Sequence, residues 1–585
     1  MRRGFGCGLV ALGVAMAGCG DGAQAGRREG GVLRVIGSSD LERLDTAAAA
    51  SVGSYALNRT YARTLFGTRA SNDFATSVAL HPDVAERLPS RGNGDVSPDG
   101  KTYRIRLRPG VRWDTSPPRE VVAGDFVRGL KRLCNPAAPS SGKGYYISTV
   151  QGMAEYCRGF AGVDATDAAA IAGYQNRTPL PGLAAPDDRT LVVRLVRPAG
   201  DLLNLLALGY AAAAPREYDT YVPDSLEFRR NTVSNGPYRI SAYNPGRSYL
   251  LGHNPAWRPE TDPLRERHVA KIQITLGQDS AHTVQQQLEQ GAADLAWDQP
   301  VPTPALPRLR RDPGFAIRRT PSSSPYLVFN TLSPNNKGSL GRPEVRRAIQ
   351  YAIDRTALVK IYGGPEVARP LHTIIPPGNA GHVHYDLYPT PGDAGDPAKC
   401  RALLAGAGYP GGLTLRFPYR TNGNHRRVAE SIKENLRGCG IDARLAADTN
   451  GDFYGRTLAV PERARAGAWD IAAPGWTPDW YGDNGRSIIQ PLFDGRDYGH
   501  NSLNFGGYDN PQVNGLIDKA LAATDPAERA RLWHQTDRLI MEDAAIVPLL
   551  DRSYTIYRSR RVRNARFLPV AMSYDYTLIW LAGGR

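Results

Sequence analysis

Between Tyr103 and Arg108 apolar and charged positions alternate, with Tyr103, Ile105 and Leu107 on one side and Arg104, Arg106 and Arg108 on the other. A period of two predicts a strand with one buried face. Ahead of it, Ser97-Pro98-Asp99-Gly100 is turn chemistry, with Pro fixing φ and Gly accepting positive φ, so a hairpin is expected there. Pro109-Gly110 ends the strand. From Glu120 the period changes, and Val121, Phe126, Val127, Leu130 and Leu133 recur at helical spacing until Asn135-Pro136 stops the helix. Residues 190–195, 271–275, 327–331, 413–417, 442–445 and 469–473 read as strands, and 284–288, 398–407 and 428–436 as helices. Residues 343–361 form one amphipathic pattern with Pro343 at a permitted first position, and 204–214 read as an apolar helix or buried segment.

With 585 residues, 41% of them hydrophobic, and strand and helix patterns intermixed, the chain exceeds one ordinary core and indicates two or three lobes. The net charge of +15 is carried mostly by arginine, and two readings stand: solvated arginines, or attraction toward an anionic surface or ligand. One arginine at every second position is the wet face of a strand and speaks against a nucleic-acid interface. No later segment is apolar enough to cross a membrane, but the N-terminus is distinctive. Arg2 and Arg3 precede an apolar run that ends in Met16-Ala17-Gly18-Cys19, a lipobox pattern that makes 1–18 a signal peptide and Cys19 the acylated first residue. The run is shorter than the roughly 20 residues a spanning helix needs. Residues 19–31 are small and polar, as suits a tether.

Beyond the anchor lie Cys134, Cys157, Cys400 and Cys439. In an exported protein these are expected to be oxidised. Four cysteines allow three pairings, and nearest-neighbour pairing, Cys134 with Cys157 and Cys400 with Cys439, is favoured because each pair falls within one proposed lobe; buried free thiols are the alternative. No CxxC spacing supports zinc. Gly94 and Gly100-Lys101-Thr102 miss a phosphate loop because Asp95 stands where glycine is required. No GxSxG elbow or HExxH helix occurs, and His382 and His384 lie in a Pro/Gly-rich loop without a third metal ligand. No cofactor is expected.

The series from His81 to Pro136, with its Pro-Asp start, Ser-Pro-Asp-Gly turn, alternating strand, Leu107-Arg108-Pro109-Gly110-Val111, Trp113 and Asp125-Phe126, resembles the solute-binding proteins of peptide ABC importers, family 5. Val122-Ala123 stands where that family usually has Thr-Ala. The resemblance continues through Asn235-Gly236-Pro237-Tyr238, Asn254 to Trp257, the 291–297 passage, the 343–361 block and Ile546 to Leu549. It implies an α/β fold of the periplasmic-binding-protein type, cluster C, with two lobes about a hinge and an additional domain. The expected division is lobe I at 32–70, 215–299 and 547–585, an additional domain at 71–214, and lobe II at 300–546. It also implies a monomeric, lipid-anchored receptor outside the cytoplasmic membrane that hands a peptide-like solute to an ABC permease, rather than an enzyme. Alternatives are a non-peptide solute, such as an oligosaccharide, metal chelate or opine-like compound, or an exported hydrolase.

The candidate site is the loop Pro474-Gly475-Trp476-Thr477-Pro478-Asp479-Trp480-Tyr481-Gly482-Asp483-Asn484. It resembles a cleft loop in which a family aspartate pairs with the ligand's terminal ammonium. Asp479 aligns with the first family aspartate and Asp483 lies one residue out of step with the second, so either can be the partner. Trp476, Trp480 and Tyr481 would wall the pocket, Asn484 closes the motif, and Tyr145 and Tyr146 resemble another cleft-lining position.

Overall fold

The computed structural model describes residues 30–583, so the signal segment, Cys19 and most of the tether lie outside the described residues. Val32–Ile36 lies inside a five-stranded sheet. It runs parallel to Leu295–Ala296 on one side and to Lys271–Thr275 on the other, with Leu33 opposite Ile272 and Val35 opposite Ile274. Ser248–His253 and Tyr238–Asn244 extend the sheet as antiparallel strands. Leu33, Val35, Leu251, Ile272 and Ile274 are fully buried in one core.

A second core surrounds the alternating strand, which spans Thr102–Arg106 with Ile105 buried and both Arg104 and Arg106 exposed. The predicted turn forms: Ser97 N donates to Thr102 O at 2.9 Å, and Gly100 has φ +70°. Yet the expected hairpin shrinks to a single bridge, Val96 to Tyr103. The long partner is Thr190–Arg194, antiparallel with Ile105 opposite Leu191, because Leu191 and Val193 supply the apolar face that the residues before the turn lack. The helix Ala123–Arg132 starts without a hydroxyl cap. Asp125 compensates, its Oδ2 accepting Val122 N at 3.1 Å and Trp113 Nε1 at 2.9 Å.

The third and largest core gathers residues from 284 onward together with Ile36 of the first strand. Tyr326–Phe329 is flanked by Ile471–Ala472 and Ile546–Pro548, both antiparallel. Leu413–Arg420 pairs in parallel with Ile441–Asp448. The 343–361 pattern is two helices rather than one, Pro343–Ala352 and Arg355–Ile361. Ile353 is extended, and Asp354 caps the second helix by accepting Ala357 N at 2.8 Å, the local competition with helix that aspartate offers. Residues 204–214 resolve as the end of a short helix, Leu202–Leu205, a 3-10 turn, Gly209–Ala211, and buried extended chain. Phe315–Ser323 pairs antiparallel with Leu550–Tyr557, and Arg558 then bridges Leu295 of the first sheet. Among the described residues no helix is long and apolar enough to cross a membrane.

Two disulfides close loops within this frame: Cys134–Cys157, with Cα atoms 5.0 Å apart, and Cys400–Cys439, at 5.5 Å. They span 23 and 39 residues. In the chain-entropy model each adds about 3 to 4 kcal/mol. Replacing both members of either pair by alanine is therefore expected to lower the urea midpoint, and wild-type protein in reductant should shift likewise. An unchanged midpoint for either double variant would refute that contribution.

Candidate binding cleft

The loop of residues 474–484 is held by its own backbone and two indoles. Trp476 and Ser323 exchange backbone hydrogen bonds at 2.8 and 3.0 Å, so the loop leaves the core beside the Phe315–Ser323 strand. Trp476 Nε1 donates to Ser487 O at 2.8 Å and Trp480 Nε1 to Asp483 O at 3.1 Å. Asn484, fully buried, clamps the far end. Its Oδ1 accepts Ala380 N at 2.9 Å, and its Nδ2 donates to Asn379 Oδ1 at 2.7 Å and Trp480 O at 3.0 Å. Helix Gly485–Phe493 follows at once.

This scaffold carries Asp479 to a point where three parts of the chain meet. Tyr55, from helix Val52–Tyr61, donates to Asp479 Oδ1 at 2.9 Å. Tyr145, from helix Lys143–Ile147, donates to Oδ2 at 2.8 Å. Among the described residues no lysine, arginine or histidine lies within ion-pair distance of this buried carboxylate. Desolvation pushes its pKa up to about 6, against the opposing pull of the two phenols.

Asp479, Trp480 and Tyr481 line a cavity of about 110 Å³ together with Tyr55, Asn58 and Leu208. Trp480 packs edge-on to Tyr145 at 5.3 Å and enters the core around Thr102–Arg106, while Tyr481 packs edge-on to Phe74 at 5.1 Å. Two polar atoms among these residues are buried without a partner, the Tyr481 hydroxyl and Asn58 Nδ2. Such groups are costly unless something bonds to them.

The other sequence candidates have partners within the protein. Asp483 is ion-paired with Arg529, whose Nε donates to Oδ2 at 2.7 Å and whose Nη2 also contacts it. Tyr146 donates to Leu205 O at 2.7 Å inside the second core, and Trp476 and Asn484 fasten the loop. Sequence reading missed Tyr55 and Asn58, which an ordinary amphipathic helix does not advertise. It also missed the cluster His372, Asp386 and Asp393, whose ligand atoms lie within 4.8 Å of one another. Buried Arg355 acts on both carboxylates there and already supplies positive charge. His382 Nδ1 instead faces Ile375 O at 2.8 Å.

Separate sheets and cores, with a largely apolar pocket holding one buried carboxylate where they meet, suit a binding protein. Residues 79–498 match the family model of bacterial extracellular solute-binding proteins, family 5, and the chain belongs to that family, one of binding proteins that act outside the cytoplasm. It is similar to the glutathione-binding protein GsiB of Escherichia coli K12, 25% identical over 576 residues and covering 96% of each chain. Among solved structures it is similar to the clavulanic acid biosynthesis oligopeptide binding protein 2, with TM-score 0.77, 29% identity and coverage of 95% of this chain and 96% of the other. The Helicobacter pylori periplasmic binding protein DppA, in complex with the peptide STSA, shares the fold with TM-score 0.75 at 20% identity, covering 95% of this chain and 99% of that one.

Proposed function

We propose that this protein captures a peptide-like solute between its lobes, with Asp479 receiving the solute's ammonium group, and delivers it to an ABC import permease. The observation that carries this reading is the buried Asp479 carboxylate, bonded by two phenols and, among the described residues, without a cation at ion-pair distance. A charge so placed costs several kcal/mol unless a counter-ion reaches it, and an ammonium is the counter-ion that peptide-like solutes carry. The names of similar proteins, glutathione-binding and oligopeptide-binding, support the solute class.

The lobes are residues 32–70, 215–299 and 547–585 for the first and 300–546 for the second, with 71–214 as the additional domain; the paired strands Phe315–Ser323 and Leu550–Tyr557 run between them as hinge. The cavity, at about 110 Å³, falls below the roughly 300–1,000 Å³ of ordinary ligand pockets. Admission therefore requires the lobes to part, and closure gives the permease a form to recognise. Trp480 and Tyr481 exclude water, while Asn58 Nδ2 and the Tyr481 hydroxyl serve ligand carbonyls. The protein works as a receptor and not as an enzyme. Mass spectrometry of small molecules released from the natively purified protein tests this, and only compounds without an amine would overturn it.

Anchoring through Cys19 belongs to the same reading, with the mature receptor a monomer held on the outer face of the cytoplasmic membrane. Cys19→Ser is expected to release the protein into the soluble fraction. Failure of radiolabelled palmitate to mark the wild type in its own cell would refute the anchor.

A further inference from the structure

Helix Gly485–Phe493 starts where the Asp479 loop ends, and its Ile488, Ile489, Leu492 and Phe493 belong to the third core. Arg486 on that helix is buried, and outside its own helix its side chain bonds to segments of the second core, which holds Tyr145, Tyr146, Val150 and Leu202. Nη2 donates to Tyr145 O at 2.7 Å, Thr149 Oγ1 at 2.8 Å and Ser148 Oγ at 2.9 Å. Nη1 donates to both oxygens of Asp201 at 3.1 Å, and Nε to Gln490 Oε1 at 2.7 Å. Gln490 reinforces the crossing, its Nε2 donating to Ser148 Oγ at 3.0 Å.

Tyr145 is therefore held at two points, its carbonyl by Arg486 and its hydroxyl by Asp479 Oδ2 at 2.8 Å. The helix that carries it, Lys143–Ile147, has five residues. Such a helix is not stable on its own, and the carbonyls at its C-terminal end lack intrahelical partners. The guanidinium supplies a bond there and places a positive charge where the helix dipole favours one. It also lies 5.5 Å from the Tyr145 ring. A lysine could answer Asp201 but could not serve Tyr145 O, Ser148 and Thr149 as the planar fork does.

We infer that Arg486 is a positioning residue for the binding carboxylate: by docking the Lys143–Ile147 helix onto the third core it holds the Tyr145 hydroxyl on Asp479, so the amine site is complete only when the two cores are docked. The inference rests on the reading of Asp479 as the ammonium acceptor and adds what prepares it.

One consequence sets this role apart from a merely structural one. Burial raises the Asp479 pKa, and the Tyr145 bond is the larger of the two hydrogen-bond pulls in the other direction. Releasing Tyr145 lets the pKa rise further, so the carboxylate loses its charge at a higher pH. The other titratable groups facing it are Tyr55, Tyr146, Tyr210 and Tyr481, all held above the ordinary phenol value by burial and neutral between pH 5 and pH 8. Neighbouring charges are partnered: Arg486 with Asp201, Arg59 with Asp575, Arg265 with Asp83, and Asp551 with Arg319, while Glu42 accepts Ser51 N.

The test uses the full mature chain, a pool of di- to pentapeptides with free amines, and the same pool N-acetylated, with retention read by mass spectrometry from pH 5 to pH 8. Arg486→Gln and Tyr145→Phe should each lower retention of the free-amine pool at pH 7 by about tenfold, the scale of a hydrogen bond to a charged group. Both should move the acid-side fall in retention to higher pH, and their double variant should lose no more than about twofold beyond either single one. Arg486→Lys, which keeps the charge, should share the shift. Hydrogen exchange across residues 143–150 should quicken in both Arg486 variants while the strands 271–275 and 413–420 stay protected, which shows that the variants are folded. A wild-type pH profile in Arg486→Lys or in Tyr145→Phe, or a double variant in which the two losses multiply, overturns the inference and leaves the ammonium reading standing. Equal retention of free and acetylated pools by the wild type, or retention of neither, overturns the ammonium reading and the inference built on it.

Discussion

Replacing Asp479 by alanine is expected to weaken ligand binding by about 30-fold or more, since truncating one partner of a desolvated charge pair costs roughly 2 to 5 kcal/mol. The variant strands the ligand's ammonium in a pocket walled by Trp480, Tyr481 and Tyr55. Folding should not suffer in proportion. Burial already disfavours the free carboxylate, as its pKa near 6 shows, so removing it relieves desolvation while leaving two phenols to water or to each other. Asp483→Ala, by contrast, breaks a pair with Arg529 at the partly exposed side of the loop and is expected to change affinity little. The same carboxylate sets a pH dependence. Because its folded pKa lies above the ordinary value of 3.8, this group's contribution to the stability of the ligand-free protein is greatest below about pH 4 and is lost as pH rises through about 6. Binding runs the other way. An ammonium selects the ionised form, so affinity should be flat above pH 7 and fall toward tenfold per unit below pH 6. Calorimetry between pH 5 and pH 8 on wild type and Asp479→Ala decides both points. A variant that binds as tightly as wild type, or a wild-type affinity indifferent to pH, would reject the ammonium mechanism.

The fold was legible where a local period is also a tertiary fact. Ile105 and Leu107 alternate with arginines because one face of their strand meets a core, and alternation records that burial directly. The hairpin was over-read because turn chemistry at Ser97 to Gly100 specifies the turn and not the ladder, which went to residues almost ninety positions later. The single helix at 343–361 was over-read for the converse reason. Its apolar period continues across Asp354, but one side-chain cap restarts the helix. The candidate loop stands out in sequence by its resemblance to a family cleft loop and by its aromatic and acidic residues, but its two aspartates look alike there. What separates them lies far off in the chain: Arg529, 46 residues onward, pairs with Asp483, and Tyr55, 424 residues back, donates to Asp479.

Asp83→Ala is expected to be the most destabilising single substitution outside the hydrophobic cores. Asp83 is fully buried and accepts Arg63 Nε at 2.9 Å and Arg265 Nη2 at 2.8 Å, both guanidiniums being equally buried. Asp262 completes the network. Burial would raise its pKa, but Arg63 and Arg265 outweigh burial and hold it well below the usual carboxylate range. The two carboxylates and two guanidiniums balance. Alanine at 83 leaves two buried cations against one anion, and breaking such a buried pair costs roughly 3 to 5 kcal/mol. At about 2 to 4 °C per kcal/mol for a unit of this size, the first thermal transition should fall by roughly 6 to 20 °C. The network also lies behind the pocket, since Arg265 and Thr64 line the cavity that Asp479 faces, so ligand should recover part of the loss by binding the folded form. Asp95→Ala is the control. It removes a partner of Arg87 whose side chain is 60% exposed, and exposed pairs contribute about 1 kcal/mol at most. Differential scanning of the three proteins, with and without ligand, separates the cases: an Asp83→Ala transition within a degree of the Asp95→Ala one would show that the buried network does not hold the wall of the cleft in place.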